Sequence, residues 1–194
     1  MATKTKTPKK KSKPATKPFS KMTKPEKRIA IANDVLMRLR TGKFKAEAGE
    51  YISIDSDFSD MERAQKVIKA KETTCTVCAK GALFCSDVAL ENKLTLDELK
   101  NETGVSTTNY GNPKNKQLLA IFSVQQLDLI ECAFETSNCS RANLLSTEQI
   151  NKAIEFGNKY QPEDDWGDDV RKSDKDRLQA ICKNIIKNNG TFKP

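Results

Sequence analysis

The chain has 194 residues, a formal net charge of +8 and no histidine, with 37% hydrophobic and 31% charged residues. That length suggests one domain with an extension, and the missing imidazole removes the commonest general base. No run is apolar for the roughly 18 residues a membrane span needs, and no apolar stretch follows the positive start as in a signal peptide.

The positive charge is concentrated at the start. Residues 1–28, MATKTKTPKKKSKPATKPFSKMTKPEKR, carry ten Lys, one Arg and one Glu, a net +10, so the remainder is −2. The pI of about 9.1 therefore belongs to this segment and not to the body. Phe19 aside, the segment has little to bury. Ordering each residue costs about 1–2 kcal/mol with nothing to offset it, so residues 1–24 read as a disordered Lys/Pro/Thr-rich tail. Residues 25–194 read as the globular part, long enough to bury roughly 70% of its unfolded surface. Six cysteines without a secretory signal read as thiols in a reducing compartment.

In chain order, Thr23-Lys24-Pro25-Glu26 is a capping box with proline in the first turn. The helix it opens carries Ile29, Ala32, Leu36 and Leu39 on one face and ends at Gly42. Two short alternating runs, Lys43–Glu47 and Glu50–Ile54, flank Ala48-Gly49 and suggest a β-hairpin. Helices are expected from Ser59 to about Glu72 and from Thr76 to about Asn92. A short one is expected from the capping box at Thr95 to about Glu102. A loop rich in Thr, Asn and Gly runs from Thr103 to Asn115, and a short helix from Lys116 to Phe122. Ser123 caps a helix with Leu127, Ile130 and Phe134 on one stripe. Ser146 or Thr147 opens another to Phe156. Ser173 caps the last, with Leu178, Ile181, Cys182 and Ile185 on one face and a stop at Asn189-Gly190. The fold class is mainly α, a single compact helical domain with one small β-hairpin and a disordered N-terminal tail.

Three motifs carry chemistry on paper. Cys75-Thr76-Val77-Cys78 has the spacing of two corners of a tetrahedral zinc site. The other corners would come from Cys85, Cys132, Cys139, Cys182 or a carboxylate, since no second C-x-x-C exists. A redox role needs a strand before the motif, and Lys66–Glu72 has a helical pattern. The competing reading is packing: Cys78, Gly81, Ala82 and Cys85 share a helical face on which small side chains admit a second helix. No cofactor is expected on that reading, and zinc on the other.

Leu94 to Tyr110, LTLDELKNETGVSTTNY, has the outline of a helix-turn-helix. Gly111-Asn112-Pro113 cuts its second helix after about one turn, and that helix would offer Thr107, Thr108 and Asn109 with no Arg or Lys. Glu163, Asp164, Asp165, Asp168 and Asp169 surround Trp166-Gly167. Their spacing does not match an EF-hand loop, so a solvated acidic loop is expected. No Gly-rich phosphate loop or hydrolase motif appears, and no catalytic residue is assigned.

Three segments together carry a resemblance: CTVCAKGALF from Cys75, IFSVQQLDLIECAFE from Ile121 and RLQAICKNIIKNNGTF from Arg177. With RIAIANDVL from Arg28, their order resembles a group of small uncharacterised phage and bacterial proteins. The resemblance covers most of the body and not the tail. It implies a bacterial or phage-infected cytoplasm and carries over no activity.

The functional expectation is a non-enzymatic accessory protein that contacts nucleic acid non-specifically through Lys4, Lys6, Lys9, Lys10, Lys11, Lys13, Lys17 and Lys21. The near-neutral body is expected to add little to that contact. The alternatives are a module binding a host protein, with the tail as a solubilising extension, and a helix-turn-helix-like DNA binder. No membrane partner is expected. In a eukaryotic cell Pro8-Lys9-Lys10-Lys11-Ser12-Lys13 would be read as a nuclear import signal.

Overall fold

The computed structural model describes residues 17–54, 75–91, 113–138, 144–161 and 168–194. The lysines upstream of Lys17, the helices expected at Ser59–Glu72 and Thr95–Glu102, the helix-turn-helix candidate, Cys139 and the acidic residues 163–165 lie outside them.

A single 3-10 turn, Phe19–Lys21, precedes α1, Lys24–Arg40. The expected capping box forms: Thr23 N–H donates to Glu26 Oε2 at 2.6 Å, and Glu26 N–H donates to Thr23 Oγ1 at 3.5 Å. Gly42, at φ +72°, ends the helix as expected. The buried face is Ile31, Ala32, Val35 and Leu39, with Ile29 and Leu36 on its half-buried margins. The stripe read from the sequence was therefore off-centre. The helix packs on two neighbours, α2 and α6 below, and its buried arc spans the gap between them.

The small sheet is not a hairpin. Strands β1, Phe44–Ala46, and β2, Ile52–Ile54, both form where the alternation placed them. Between them lies β3, Cys75–Val77, giving the order β1-β3-β2. Phe44 pairs with Cys75 and Ala46 with Val77 in parallel, and Ile52 pairs with Val77 in antiparallel. The helix expected from Thr76 therefore begins later. Thr76 and Val77 are β-branched, and all three β3 residues are buried, as in a central strand.

Helix α2, Ala79–Glu91, is the centre of the fold, with every residue from Ala79 to Val88 buried. It packs against α1, α3, Pro113–Ile121, and α4, Val124–Glu135, while α5, Thr147–Asn158, packs on α4, and α6, Asp168–Lys187, packs on α1 and α4. Ser123 caps α4, and Ser146 with Gln149 makes a second capping box at α5. Leu127, Ile130 and Phe134 are buried as expected, as are Leu178, Ile181, Cys182 and Ile185. Ser173 does not cap α6. It lies inside the helix, buried, and its hydroxyl donates to the Tyr160 carbonyl. The acids Asp168 and Asp169, read as loop, are the first residues of the helix.

Helices α1 and α6 run antiparallel. The α6 C-terminus meets the start of α1, where Arg28 Nη1 donates to the Gly190 carbonyl at 3.4 Å. The other end of α6 meets the turn after β1, where Ala48 N–H donates to Asp174 Oδ2 at 2.9 Å. The described residues are mainly helical with one small sheet, and no helix among them is long and apolar enough to cross a membrane.

Phe19 is half-buried against the core, with Lys27 Nζ 4.9 Å from its ring centroid. Lys17 Nζ lies 2.7 Å from Glu26 Oε2 and so braces the capping box. Packing thus reaches upstream of residue 25. Shortening the chain to begin at Lys17 is expected to leave the melting midpoint unchanged. Phe19→Ala is expected to cost about 1–2 kcal/mol, since only part of the ring is buried. Thermal melts of the two variants check this.

Candidate functional site

The basic segment meets the body at the start of α1, and several of its cations are already engaged there. Arg28 Nε donates to the Ile121 carbonyl at 2.7 Å, and its guanidinium lies 5.5 Å from the Phe122 ring centroid. Lys27 Nζ is 2.8 Å from Glu91 Oε1. These two groups tie α1 to α2, α3 and the C-terminus, so they serve the fold. Lys17 of the expected phosphate contacts shares Glu26. Lys21 is exposed with no carboxylate partner among the described residues, and so is Lys24 beside it. Lys4, Lys6, Lys9, Lys10, Lys11 and Lys13 lie outside the described residues.

Cys75 and Cys78 are both in the hydrophobic core. Cys75 lies in β3, and Cys78 immediately precedes α2, where the amides of Lys80 and Gly81 hydrogen-bond its sulfur. Cys75 to Val77 of the motif themselves form the strand, and the run Lys66–Glu72 before them lies outside the described residues. Burial pushes the Cys78 thiol up to about 12, whereas a reactive or metal-binding cysteine needs its thiolate. Burial raises Cys85 and Cys182 in the same direction. Among the described residues no group of three or more Cys, Asp or Glu is arranged to hold a metal ion. Gly81 does serve close approach, but to the backbone at Tyr51 just before β2 and not to a second helix. A Cβ there would stand 1.7 Å from the Tyr51 carbonyl oxygen.

The sequence reading missed a buried constellation of charge. Lys80 on α2 is 2% exposed and reaches α4, with Nζ 2.5 Å from Glu131 Oε2 and 3.6 Å from Asp128 Oδ1. One turn on, Glu135 Oε2 accepts the Gly49 N–H at 2.8 Å. Asp174 on α6 holds the neighbouring Ala48 amide and lies 3.3 Å from Arg177 Nη1. Arg177 also donates to the Phe134 carbonyl at the end of α4. The Glu47–Glu50 turn is thereby pinned by two carboxylates from different helices. Beside it, the buried Tyr51 hydroxyl has no hydrogen-bond partner among the described residues, and burial raises its pKa. The available signal was the rarity of these charges. AKGALFCSDVAL holds only Lys80 and Asp87, and VQQLDLIECAFE holds only Asp128, Glu131 and Glu135.

Compared with family models, with curated proteins and with solved structures, the chain shows no match.

Burial raises Glu135 from 4.5 to about 7, with the Gly49 amide opposing and Glu131 and Asp174 adding to the rise. Between those values the folded chain holds a proton that the unfolded chain releases. Stability should therefore fall as pH rises through that window. Burial moves Asp174 in the same direction. Glu135→Gln keeps an acceptor for Gly49 and removes the titration. The variant is expected to lose much of the slope of melting midpoint against pH across the window, as calorimetry at its two sides would show.

Proposed function

We propose that the chain is a non-enzymatic accessory protein of a phage or bacterial cytoplasm, contacting nucleic acid without sequence preference through its lysine-rich N-terminal segment. The partition of charge carries this reading: residues 1–28 hold a net +10 against −2 for the rest. Pro8, Pro14 and Pro18 favour extended backbone, which lets successive lysines follow one phosphate chain. The packing of Phe19 supports it further, because it anchors this cationic segment to a folded body at a defined point.

Each phosphate neutralised releases counterion, so log K falls against log salt with a slope of about −0.9 per contact on duplex DNA. The native chain is expected to bind mixed-sequence DNA and RNA weakly and to release both as salt rises. A full-length variant with Lys4, Lys6, Lys9, Lys10, Lys11 and Lys13 changed to Gln is expected to bind about two orders of magnitude more weakly at low salt. Gel shifts at two salt concentrations measure this. Equal binding by the two proteins would overturn the assignment to the tail, and no binding by the native chain would overturn nucleic-acid contact altogether.

A further inference from the structure

The end of the body from which the basic segment emerges is made by two chain regions far apart in sequence. The start of α1 and the end of α6 meet there so closely that a Cβ on Gly190 would lie 2.7 Å from the Pro25 carbonyl oxygen. The residues after α6 are tied down. Asn184 Nδ2 donates to the Lys193 carbonyl at 2.7 Å, and Lys193 N–H donates to Asn184 Oδ1 at 2.9 Å. Phe192 N–H donates to Gln126 Oε1 at 2.6 Å, and Gln126 Nε2 donates to the Phe192 carbonyl at 3.2 Å. Lys21, Lys24, Lys183, Lys187 and Lys193 are thereby gathered at one end, all exposed. Lys183 and Lys187, four residues apart on α6, share a side.

We infer that this end is itself a phosphate-binding surface, and that Lys21, Lys24, Lys183, Lys187 and Lys193 continue the track of the tail onto the backbone of a nucleic-acid duplex. The inference rests on the nucleic-acid reading above and adds to it a place on the body and a form of nucleic acid.

Three observations carry it. The first is pairing. Lys17, Lys27, Lys80, Lys152, Arg38 and Arg177 each have a carboxylate within salt-bridge distance. None of the five lysines at this end has one among the described residues, as is also true of Arg40, Lys43, Lys159 and Lys175 elsewhere. The second is segregation. Glu135 and Asp174 pin the turn holding Glu47 and Glu50 near the other end of the α1–α6 pair. A helix the length of α1 puts roughly 25 Å between the two ends. That other end mixes its acids with Arg40, Lys43, Lys45 and Lys175, whereas the acids at the tail end, Glu26 and Glu91, are each paired, with Lys17 and Lys27, and leave its other lysines in excess. Helix stability favours Lys187, in the last turn of α6, but does not account for Lys24, which stands in the first turn of α1, where the helix dipole disfavours a cation.

The third concerns the aromatic rings among the described residues at this end. Proteins that grip single strands stack bases on exposed aromatic rings. Here Phe192 is 1% exposed and packs edge-on against Phe156 at 5.3 Å, while Phe19 lies half-buried beneath Lys27. Fixed cations spread over two helix ends, with the described rings Phe19, Phe156 and Phe192 half-buried or buried, suit phosphates presented at the set spacing of a duplex.

The test is fluorescence anisotropy on the full chain and on a full-length Lys183→Gln, Lys187→Gln, Lys193→Gln variant. The ligands are mixed-sequence DNA and RNA duplexes, single-stranded DNA, and vesicles of mixed phosphatidylserine and phosphatidylcholine. All three side chains are exposed, so the variant is expected to melt with the native chain. Its duplex salt slope is expected to be shallower by about 2–3, at about 0.9 per lost contact, on DNA and RNA alike. Single-strand binding is expected to change far less. Adding the three substitutions to the tail-neutralised chain is expected to abolish its residual duplex binding. Lys21→Gln with Lys24→Gln should reproduce the effect at about two-thirds the size. An unchanged duplex slope, with native binding intact, would overturn this surface and leave the tail reading standing. Failure of the native chain to bind any nucleic acid overturns both. Tighter binding to the vesicles than to duplex at equal salt, or equal losses on single strand and duplex, would also overturn it.

Discussion

Lys80→Ala is expected to destabilise the protein by about 3–5 kcal/mol, the usual cost of stranding a buried charge. Lys80 stands on the central helix, where its neighbours Ala79, Ala82, Leu83 and Phe84 are all at most 1% exposed. Its ammonium lies within salt-bridge distance of both Glu131 and Asp128 in the interior between α2 and α4. Removing it leaves carboxylates in a low-dielectric site with less to compensate them, and a cavity where its aliphatic stem lay. Domains of this size are stable by only about 5–15 kcal/mol, so the variant should lose a large fraction of its margin. The companion substitution separates charge from volume. Lys80→Met fills most of the same space, so its cost measures the stranded carboxylates. Adding Glu131→Gln to Lys80→Met should recover part of that loss. Urea titrations of the three variants give the comparison. A loss of less than about 1 kcal/mol in Lys80→Ala would show that the cluster is solvated and not buried.

The contrast between Lys80 and the amphipathic helices shows which physical signals are local. The capping boxes at Thr23 and Ser146, the cap at Ser123 and the stops at Gly42 and Gly190 are each written within a few residues, and each is found in place. The buried faces of α4 and α6 follow from the same local periodicity. Strand partners are a different matter. Phe44–Ala46 and Ile52–Ile54 are close in sequence and look like the arms of a hairpin, yet both pair with Cys75–Val77. That strand is three residues long and runs straight into a helix, so its own period is too short to separate from the helical one that follows. The N-terminus of α6 was obscured for a similar reason. Asp168 and Asp169 look like loop, but acids are favoured in a first helical turn.

The candidate site divides along the same line. The positive charge of the N-terminal segment is a property of contiguous residues and is plain in the sequence. The proposed basic end of the body is not, because the start of α1 and the end of α6 are far apart in sequence and come together only through the packing that sets Gly190 against Pro25 and Arg28. A net charge near zero hides that local excess completely. Arg28 fails in the opposite direction. By sequence it belongs to the basic run, but its donors go to Ile121 and Gly190.

Gly81→Ala is expected to have the largest effect on the sheet. The added Cβ would stand 1.7 Å from the Tyr51 carbonyl oxygen, 2.8 Å from the Tyr51 carbonyl carbon and 3.0 Å from Ile52 Cγ1. The first two atoms are backbone, so rotating a side chain cannot relieve the clash. Either α2 or the strand-leading segment at Tyr51 must move. Neither move is small. Helix α2 is enclosed along the whole of Ala79–Val88, and the segment at Tyr51 is fixed by the Cys78 N–H donating to the Glu50 carbonyl at 2.5 Å. Overpacking of a rigid core commonly costs about 1–3 kcal/mol, and a backbone contact this short lies at the upper end or beyond. Alanine gains up to about 1 kcal/mol over glycine inside a helix, which is too little to offset it. Gly157→Ala, where the obstructing atom is the Ala133 carbonyl oxygen at 2.0 Å, makes the comparison sharp. That change should separate α4 from α5 and leave the β2 pairing intact, whereas Gly81→Ala should expose the amides of β2 and β3. Hydrogen exchange resolves the two: fast exchange at Thr76 and Val77 is expected in the Gly81 variant alone. Native protection of both amides in Gly81→Ala would show that the strand and α2 have room to part.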